Sequence, residues 1–204
     1  MNKTVAILGA GELGQQIANF AVNDNHYSEV LFYDDINNGP HIKGTSESLL
    51  QDFRDKKFDE LIIGIGYHHL EVRKKKYEHF RDKIPFGKII HTTCWVDPSA
   101  KIGEGCVIYP KCTIDKNVQI GANTILNLNC TIAHDSLIGA HTFFGPTVSV
   151  AGFCTIGKEN FIGVGTIVKD TVMLSDFVQT GAGTIVIKDI KEGGIYVGNP
   201  ARKI

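Results

Sequence analysis

Every sixth residue from Val96 to Val186 is large and apolar, with one exception and no slip of register. The series runs Val96, Ile102, Ile108, Ile114, Ile120, Leu126, Ile132, Ile138, Phe144, Val150, Ile156, Ile162, Val168, Leu174, Thr180, Val186, and only Thr180 breaks it. Fifteen of these sixteen positions are apolar, where a 43% hydrophobic composition would place about seven. A period of six matches neither an amphipathic helix nor a plain alternating strand. It fits a chain that turns a corner every six residues and winds into a stacked β-solenoid. With three sides per turn, residues 18 apart lie one above the other, and the rungs make about five coils, each rising ~4.8 Å.

Other rows share the period. Glycine often follows the apolar position (Gly103, Gly121, Gly139, Gly145, Gly157, Gly163, Gly181), which reads as relief of unusual backbone angles at tight corners. Four of the five cysteines (Cys106, Cys112, Cys130, Cys154) fall two places before the apolar row, among Ala, Val, Ser and Thr. Cysteine in such a row is expected to act as a small buried hydrophobe, and reduced thiols point to the cytoplasm. The tail from Gly193 to Ile204 leaves the period and is expected to close the end.

The first ninety residues alternate strand and helix signals. Strands are expected at Thr4–Leu8, Val30–Tyr33, Leu61–Ile65 and Lys88–Ile90. Helices are expected over Glu12–Asn23, with Leu13, Ile17 and Phe20 on one side, over Glu47–Phe53 and over His69–Asp82. The start Met1–Leu8 faintly resembles a signal peptide, but its apolar run is short and Gly9 and Glu12 follow without a cleavage-like site, so it reads as a buried first strand. Such alternation implies a small parallel sheet. The predicted fold is an α/β half-Rossmann domain over 1–92, followed by an all-β parallel β-helix with a C-terminal cap over 93–204.

Gly9-Ala10-Gly11-Glu12-Leu13-Gly14 is a GxGxxG run between a strand and a helix, and Asp34 ends the second strand. That is the dinucleotide fingerprint in its proper context. Taken alone it predicts NAD, but no second mononucleotide half follows. Arg73-Lys74-Lys75-Lys76 reads as a solvated helix face, because Glu71, Glu78 and Asp82 dilute its field. A net charge of −1 gives no general reason to bind nucleic acid, and no apolar stretch approaches the roughly 20 residues that span a bilayer.

The repeats resemble the hexapeptide-repeat acyltransferases, and Val197-Gly198-Asn199-Pro200-Ala201-Arg202 resembles their ending. With the glycine-rich half added, the whole chain resembles sugar acetyltransferases of the sialic acid O-acetyltransferase type. Asn127–Asp135 carries the most specific part of that likeness. The resemblance implies a left-handed β-helix. It also implies a cytoplasmic homotrimer that uses acetyl-CoA, without a metal, to N-acetylate a nucleotide-activated amino sugar in bacterial surface glycan (O-antigen) synthesis. The sugar would be a UDP- or dTDP-linked 4-amino-4,6-dideoxyhexose. O-acetylation of a sialic-acid-like sugar is the first alternative. A non-catalytic trimeric scaffold that binds nucleotide sugars is a second. A β-helical carbonic anhydrase is disfavoured, since only His134 and His141 lie on the repeat.

By the same resemblance His134 is the general base and Asp135 its support; imidazole suits that role near neutral pH. Gly152 stands one coil above His134, with an N–H that can face the oxygen gaining charge. Main-chain groups at Val164 and Ala182 would hold the pantetheine arm. Asn127 would touch the sugar or cap a corner. The glycine-rich loop (Gly9, Gly11) would meet the phosphates, Asp34 and Asp35 the base or ribose, and Gly66 would flank the nucleotide. Phe143 stands where relatives carry a thioester-contacting histidine, and Glu12-Leu13 and Gln15 replace their Gly-His and Lys. His141 reads as a surface or subunit-contact residue.

Overall fold

A computed structural model describes residues 3–204; Met1 and Asn2, at the start of the expected first strand and domain, lie outside the described residues. The chain divides into two compact units, one ending at Ile89 and one running from Ile90 to Ile204.

The first unit holds β1 (Thr4–Leu8), α1 (Glu12–Asn23), β2 (Glu29–Tyr33), β3 (Ile42–Gly44), α2 (Leu49–Arg54), β4 (Glu60–Ile63) and α3 (Leu70–Phe80). The four strands form one parallel sheet in the order β3-β2-β1-β4. Val5–Leu8 and Leu61–Ile63 are at most 1% exposed, which explains why these segments are continuous apolar runs and do not alternate. On α1 the buried face is Gly14, Ile17 and Ala21, one position round from the expected Leu13–Phe20 side. The reason is Gly14. A Cβ there would lie 1.9 Å from the Gly9 carbonyl oxygen, so the missing side chain lets the helix press onto the loop that precedes it. The edge strand β3 has no apolar pattern of its own, and sequence reading missed it.

The second unit is a three-sided parallel β-helix. Two-residue strands stack on three faces, and every neighbouring pair from Trp95–Val96 to Ile185–Val186 is offset by 18 residues or, at Phe161, continues that register to Gln179. The sixfold apolar row fills the interior, where Ile108, Ile114, Leu126, Ile132, Phe144, Ile162, Val168 and Val186 are fully buried. Thr180, the exception, is fully buried too. Its Oγ1 accepts the Gly163 N–H at 2.9 Å and shares a 2.9 Å hydrogen bond with Thr166 Oγ1, so the hydroxyl is satisfied.

The corners are built differently from the sequence expectation. The residues with left-handed angles are Lys111, Asn117, Asn123, Asn129, Asp135, His141 and their sixfold successors, mostly not glycine. From Asn123 onward each of these corners is closed by a backbone hydrogen bond to the carbonyl nineteen residues earlier, as in Asp135 N–H to Lys116 O and Phe153 N–H to His134 O, at 2.9 and 3.0 Å, while in the first coil the Thr93 and Ser99 hydroxyls take the Lys111 and Asn117 N–H groups instead. The glycine row has ordinary angles. Its glycines are needed because a Cβ would strike the next coil: at Gly121 it would lie 2.5 Å from Ala140 N, and at Gly145 2.7 Å from Val164 N.

The small-residue row is also more than small. Its thiols and hydroxyls donate to the carbonyl fifteen residues on: Cys112 to Asn127 O, Cys130 to Gly145 O, Ser136 to Ala151 O, Thr142 to Gly157 O. Cys94, the fifth cysteine, does the same to Tyr109 O. The Cys112 thiol is pushed up to about 12, first by its neighbour Cys130 and then by burial, and so stays a protonated donor. The tail adds Gly194–Val197 in parallel to Val178–Thr180, then turns back antiparallel through Arg202–Lys203. Ile190 and Tyr196 join the core there.

The two glycine classes separate in a stability measurement. Gly121→Ala is expected to cost about 1–3 kcal/mol in denaturant unfolding, the usual penalty of overpacking. Gly165→Asn, at a φ of +66° with no atom nearer than 3.9 Å to its Cβ, is expected to cost under about 1 kcal/mol.

Candidate functional site

The β-helix presents three edges, each a column of residues 18 apart. One carries Lys116, His134, Gly152 and Asp170. A second carries Pro110, Leu128, Pro146, Val164 and Ala182. The third carries Glu104, Ala122, Ala140, Lys158 and Asp176. His134 and Gly152 therefore share an edge, whereas Val164 and Ala182 stand on another.

His134 is half exposed at its corner. Its Nδ1 lies 3.0 Å from Asp135 Oδ2, and Asp135 Oδ1 accepts Asn117 Nδ2 at 2.9 Å. The Asn117 hydrogen bond, then the His134 ring, hold the Asp135 carboxyl below the usual carboxylate range. An ionised carboxylate can only accept, so the arrangement places the imidazole proton on Nδ1 and leaves Nε2 with a free lone pair. The ring rests over Gly152, where a Cβ would lie 2.7 Å from Cε1 and 2.8 Å from Nε2. Phe153 packs against it edge to face, with centroids 5.0 Å apart. The N–H groups of Gly152, Val164 and Ala182 make no hydrogen bond among the described residues. Asn127 turns its Oδ1 back onto the Leu128 N–H at 2.7 Å.

His141 is not at the surface of this chain. It is 5% exposed, and its Nδ1 lies 3.0 Å from Asn123 Nδ2 on the coil below. That contact holds the ring along the column and not outward. Phe143 is buried against Phe161. Among the described residues no three His, Cys, Asp or Glu side chains come together as a metal would require, and no helix is long and apolar enough to cross a membrane.

The first unit holds a cavity of about 290 Å³ at the C-terminal ends of β1, β2 and β4. Gly9, Gly11, Asp34, Asp35 and Gly66 all line it, together with Ile36, His69, Val72 and Lys76. Gly9, at φ +110°, and Gly64 are glycines because their backbones touch, whereas Gly11 and Gly66 have open space above them, room for a ligand to approach the main chain. Asp34 is fully engaged by the protein. It accepts the N–H groups of Ala10, Ile36 and Asn37 at 2.7–2.8 Å and the Asn37 amide at 3.1 Å. Burial opposes its ionisation, and those donors outweigh burial, so its pKa is depressed. Asp35 is likewise depressed: burial works against the charge, and Lys76 at 2.6 Å and Ser46 overcome it.

The basic run on α3 is therefore only partly a solvated face. Arg73 is 1% exposed and its guanidinium donates to the Ile63 and Ile65 carbonyls, tying α3 to the Gly64–Gly66 loop. Lys76 points into the cavity, while Lys75 pairs with Glu71 in solvent. The available signal was spacing: His69, Val72, Arg73 and Lys76 recur as neighbours on one side of a helix.

Residues 90–192 match the family model described as the GMPPB C-terminal domain. A comparison with curated proteins found no match. Among solved structures, the acetyltransferase domain of PglB from Neisseria gonorrhoeae FA1090 is 28% identical, with 100% of each chain covered and a TM-score of 0.91; it has also been solved in complex with acetyl coenzyme A. PerB from Caulobacter crescentus, solved in complex with CoA and GDP-perosamine, is 25% identical over 98% of this chain and 97% of its own, with a TM-score of 0.90.

Asp34 offers a test of the cavity's construction. A depressed carboxyl contributes stability that is full above its ordinary value of 3.8 and fades as pH falls through the folded value. Asp34→Ala is expected to lose about 1–3 kcal/mol near pH 7, from N–H groups left unpaired. Unfolding titrations should show that gap narrowing towards pH 3.

Proposed function

Because the chain belongs to the family of the GMPPB C-terminal domain, and with it to the hexapeptide-repeat, left-handed β-helix acetyltransferases, we infer that it is an acetyl-CoA-dependent N-acetyltransferase acting on a nucleotide-linked amino sugar. The observation that carries this reading is the His134–Asp135 pair at an exposed corner, on a chain whose full length superposes on the acetyltransferase domain crystallised with acetyl coenzyme A.

Acetyl-CoA supplies a thioester carbonyl. His134 Nε2 takes the proton that the attacking sugar amine loses as its nitrogen bonds to that carbon, and returns it to the sulfur as the carbon–sulfur bond breaks. Asp135 holds the Nδ1 proton and offsets the charge on the ring meanwhile. The Gly152 N–H, unused within the chain, is the donor for the carbonyl oxygen as charge builds there. The bare Gly152 Cα leaves space beside the imidazole. The charge-free edge Leu128–Pro146–Val164–Ala182 suits an apolar pantetheine arm, with the Val164 and Ala182 N–H groups as its donors. Since His134 and that edge are on different sides of one prism, a complete site needs two copies packed edge to edge. Repeated around a threefold axis, such a heterologous contact closes into a homotrimer.

In the first unit the cavity takes the nucleoside diphosphate. The open backbone at Gly11 and the start of α1 face its phosphates. Asp35 and Lys76 face the ribose or base, and the saturated Asp34 shapes the loop. Gly66 flanks the nucleotide, and Asn127, which caps its own corner, is the candidate contact for the sugar. Five free thiols fit a reducing cytoplasm, and the near-neutral charge offers nothing to nucleic acid.

The test is direct. Purified protein is incubated with acetyl-CoA and a panel of GDP-, UDP- and dTDP-linked 4-amino-4,6-dideoxyhexoses beside a sialic-acid-like sugar, and CoA release is followed. At least one amino sugar is expected to be N-acetylated, with His134→Ala lowering kcat by about 10²-fold or more. Acetylation of only the sialic-acid-like sugar, or an unimpaired His134→Ala, would overturn the reading. Sedimentation should give a trimer at micromolar concentration.

A further inference from the structure

The His134–Asp135 pair is braced from the coil beneath it. Asn117 lies 18 residues before Asp135, in the same left-handed corner position, with φ 58°. Its own N–H is held by Ser99 Oγ at 2.8 Å, and that hydroxyl donates to Asp97 Oδ1 at 2.6 Å. The corner is thus anchored before its side chain is used. The side chain then reaches up one coil, where Nδ2 donates to Asp135 Oδ1 at 2.9 Å. With Oδ1 taken, Oδ2 is the oxygen left to face His134 Nδ1 at 3.0 Å. The direction of the amide is fixed by chemistry: an ionised carboxylate accepts, so the NH₂ end and not the oxygen must face it.

We propose that Asn117 is a positioning residue for acetyl transfer, orienting Asp135 so that the His134 proton stays on Nδ1 and Nε2 remains the basic nitrogen. This rests on His134 being the base. The backbone alone does not demand asparagine, for Lys111 and Thr171 adopt the same left-handed angles at equivalent corners. What asparagine adds is a neutral donor aimed at a carboxylate. The charged groups around the ring are few. Asp135 is on its own corner and Lys116 on the coil beneath, while the coil above brings Gly152 and Phe153, both uncharged. A change of charge at position 117 would therefore be felt by the imidazole with little competition.

Two substitutions separate this role from a structural one. Asn117→Asp keeps the size and the tolerance for a left-handed corner, but replaces the donor by a second carboxylate. Asn117→Gly keeps the corner and removes the side chain. Both are assayed as the full chain with acetyl-CoA and an amino-sugar nucleotide that the wild type acetylates. Each is expected to lower kcat by about tenfold, with KM values for both substrates within about twofold, as for an interaction felt in the transition state. In Asn117→Asp the acid limb of the rate profile is expected to move to higher pH, because an added negative charge favours the imidazolium; in Asn117→Gly it should not move that way. Wild-type kcat in both variants, or an unmoved acid limb in Asn117→Asp, would overturn the proposal. His134→Ala, measured alongside, tells the two failures apart: if it is inactive, the base stands and only the bracing is wrong, and if it is active, the base itself is wrong.

Discussion

The β-helix depends on one repeated hydrogen bond, from the N–H of a left-handed corner residue to the carbonyl nineteen residues earlier. Each such bond closes a corner and fixes how far the chain travels before it turns again. Once the corner recurs every six residues, the strands must pair at an offset of 18, and every side chain has a fixed neighbour above and below. The interior fills with the apolar row, worth about 1.5–3 kcal/mol for each large side chain buried. The glycine row lets successive coils approach. The thiols and hydroxyls of the small row take up carbonyls that the corners would otherwise leave buried and unpaired.

The same periodicity sets the chemistry. A histidine placed on a corner meets whatever lies 18 residues away. Here that is Gly152, whose missing side chain gives the ring its resting place. The adjacent left-handed residue, Asp135, meets Asn117 below and Phe153 above. The acid that orients the imidazole is thus itself placed by the coil geometry, on rigid elements and not on a mobile loop. The geometry also has a limit. A regular three-sided prism cannot bring two of its own edges together, so groups on different edges cooperate only through another copy.

Much of this was legible in the sequence. The sixfold row, the 18-residue stacking, the βαβ half and the pairing of His134 with Gly152 follow from spacing alone. What spacing could not show was the backbone state of each row. Glycine marks both strained angles and close approach, and here the second reason holds: Gly121 needs room for Ala140, while Asn117, Asp135 and Phe153 carry the left-handed angles. Cysteine marks both small volume and a weak donor, and Cys112 is both. Thr180 looked like a fault in the core and proved to be a hydrogen-bonded member of it. On α3 the charge run hid a division, since Arg73 and Lys76 turn inward and Lys75 does not. Such choices depend on three-dimensional neighbours that one-dimensional patterns do not record.

We propose that acetyl transfer occurs where the His134 edge of one copy meets the Val164–Ala182 edge of another. Subunit mixing tests it most directly. Chains carrying His134→Ala and chains carrying Ala182→Trp, each inactive alone, are unfolded, combined in equal amounts and refolded. If the site is shared, one site in three of each mixed trimer joins an intact edge of each kind, and with the pure trimers counted this is about one site in four overall. Activity should then return towards a quarter of the wild-type value. Mixed trimers that form and remain inactive would contradict the account.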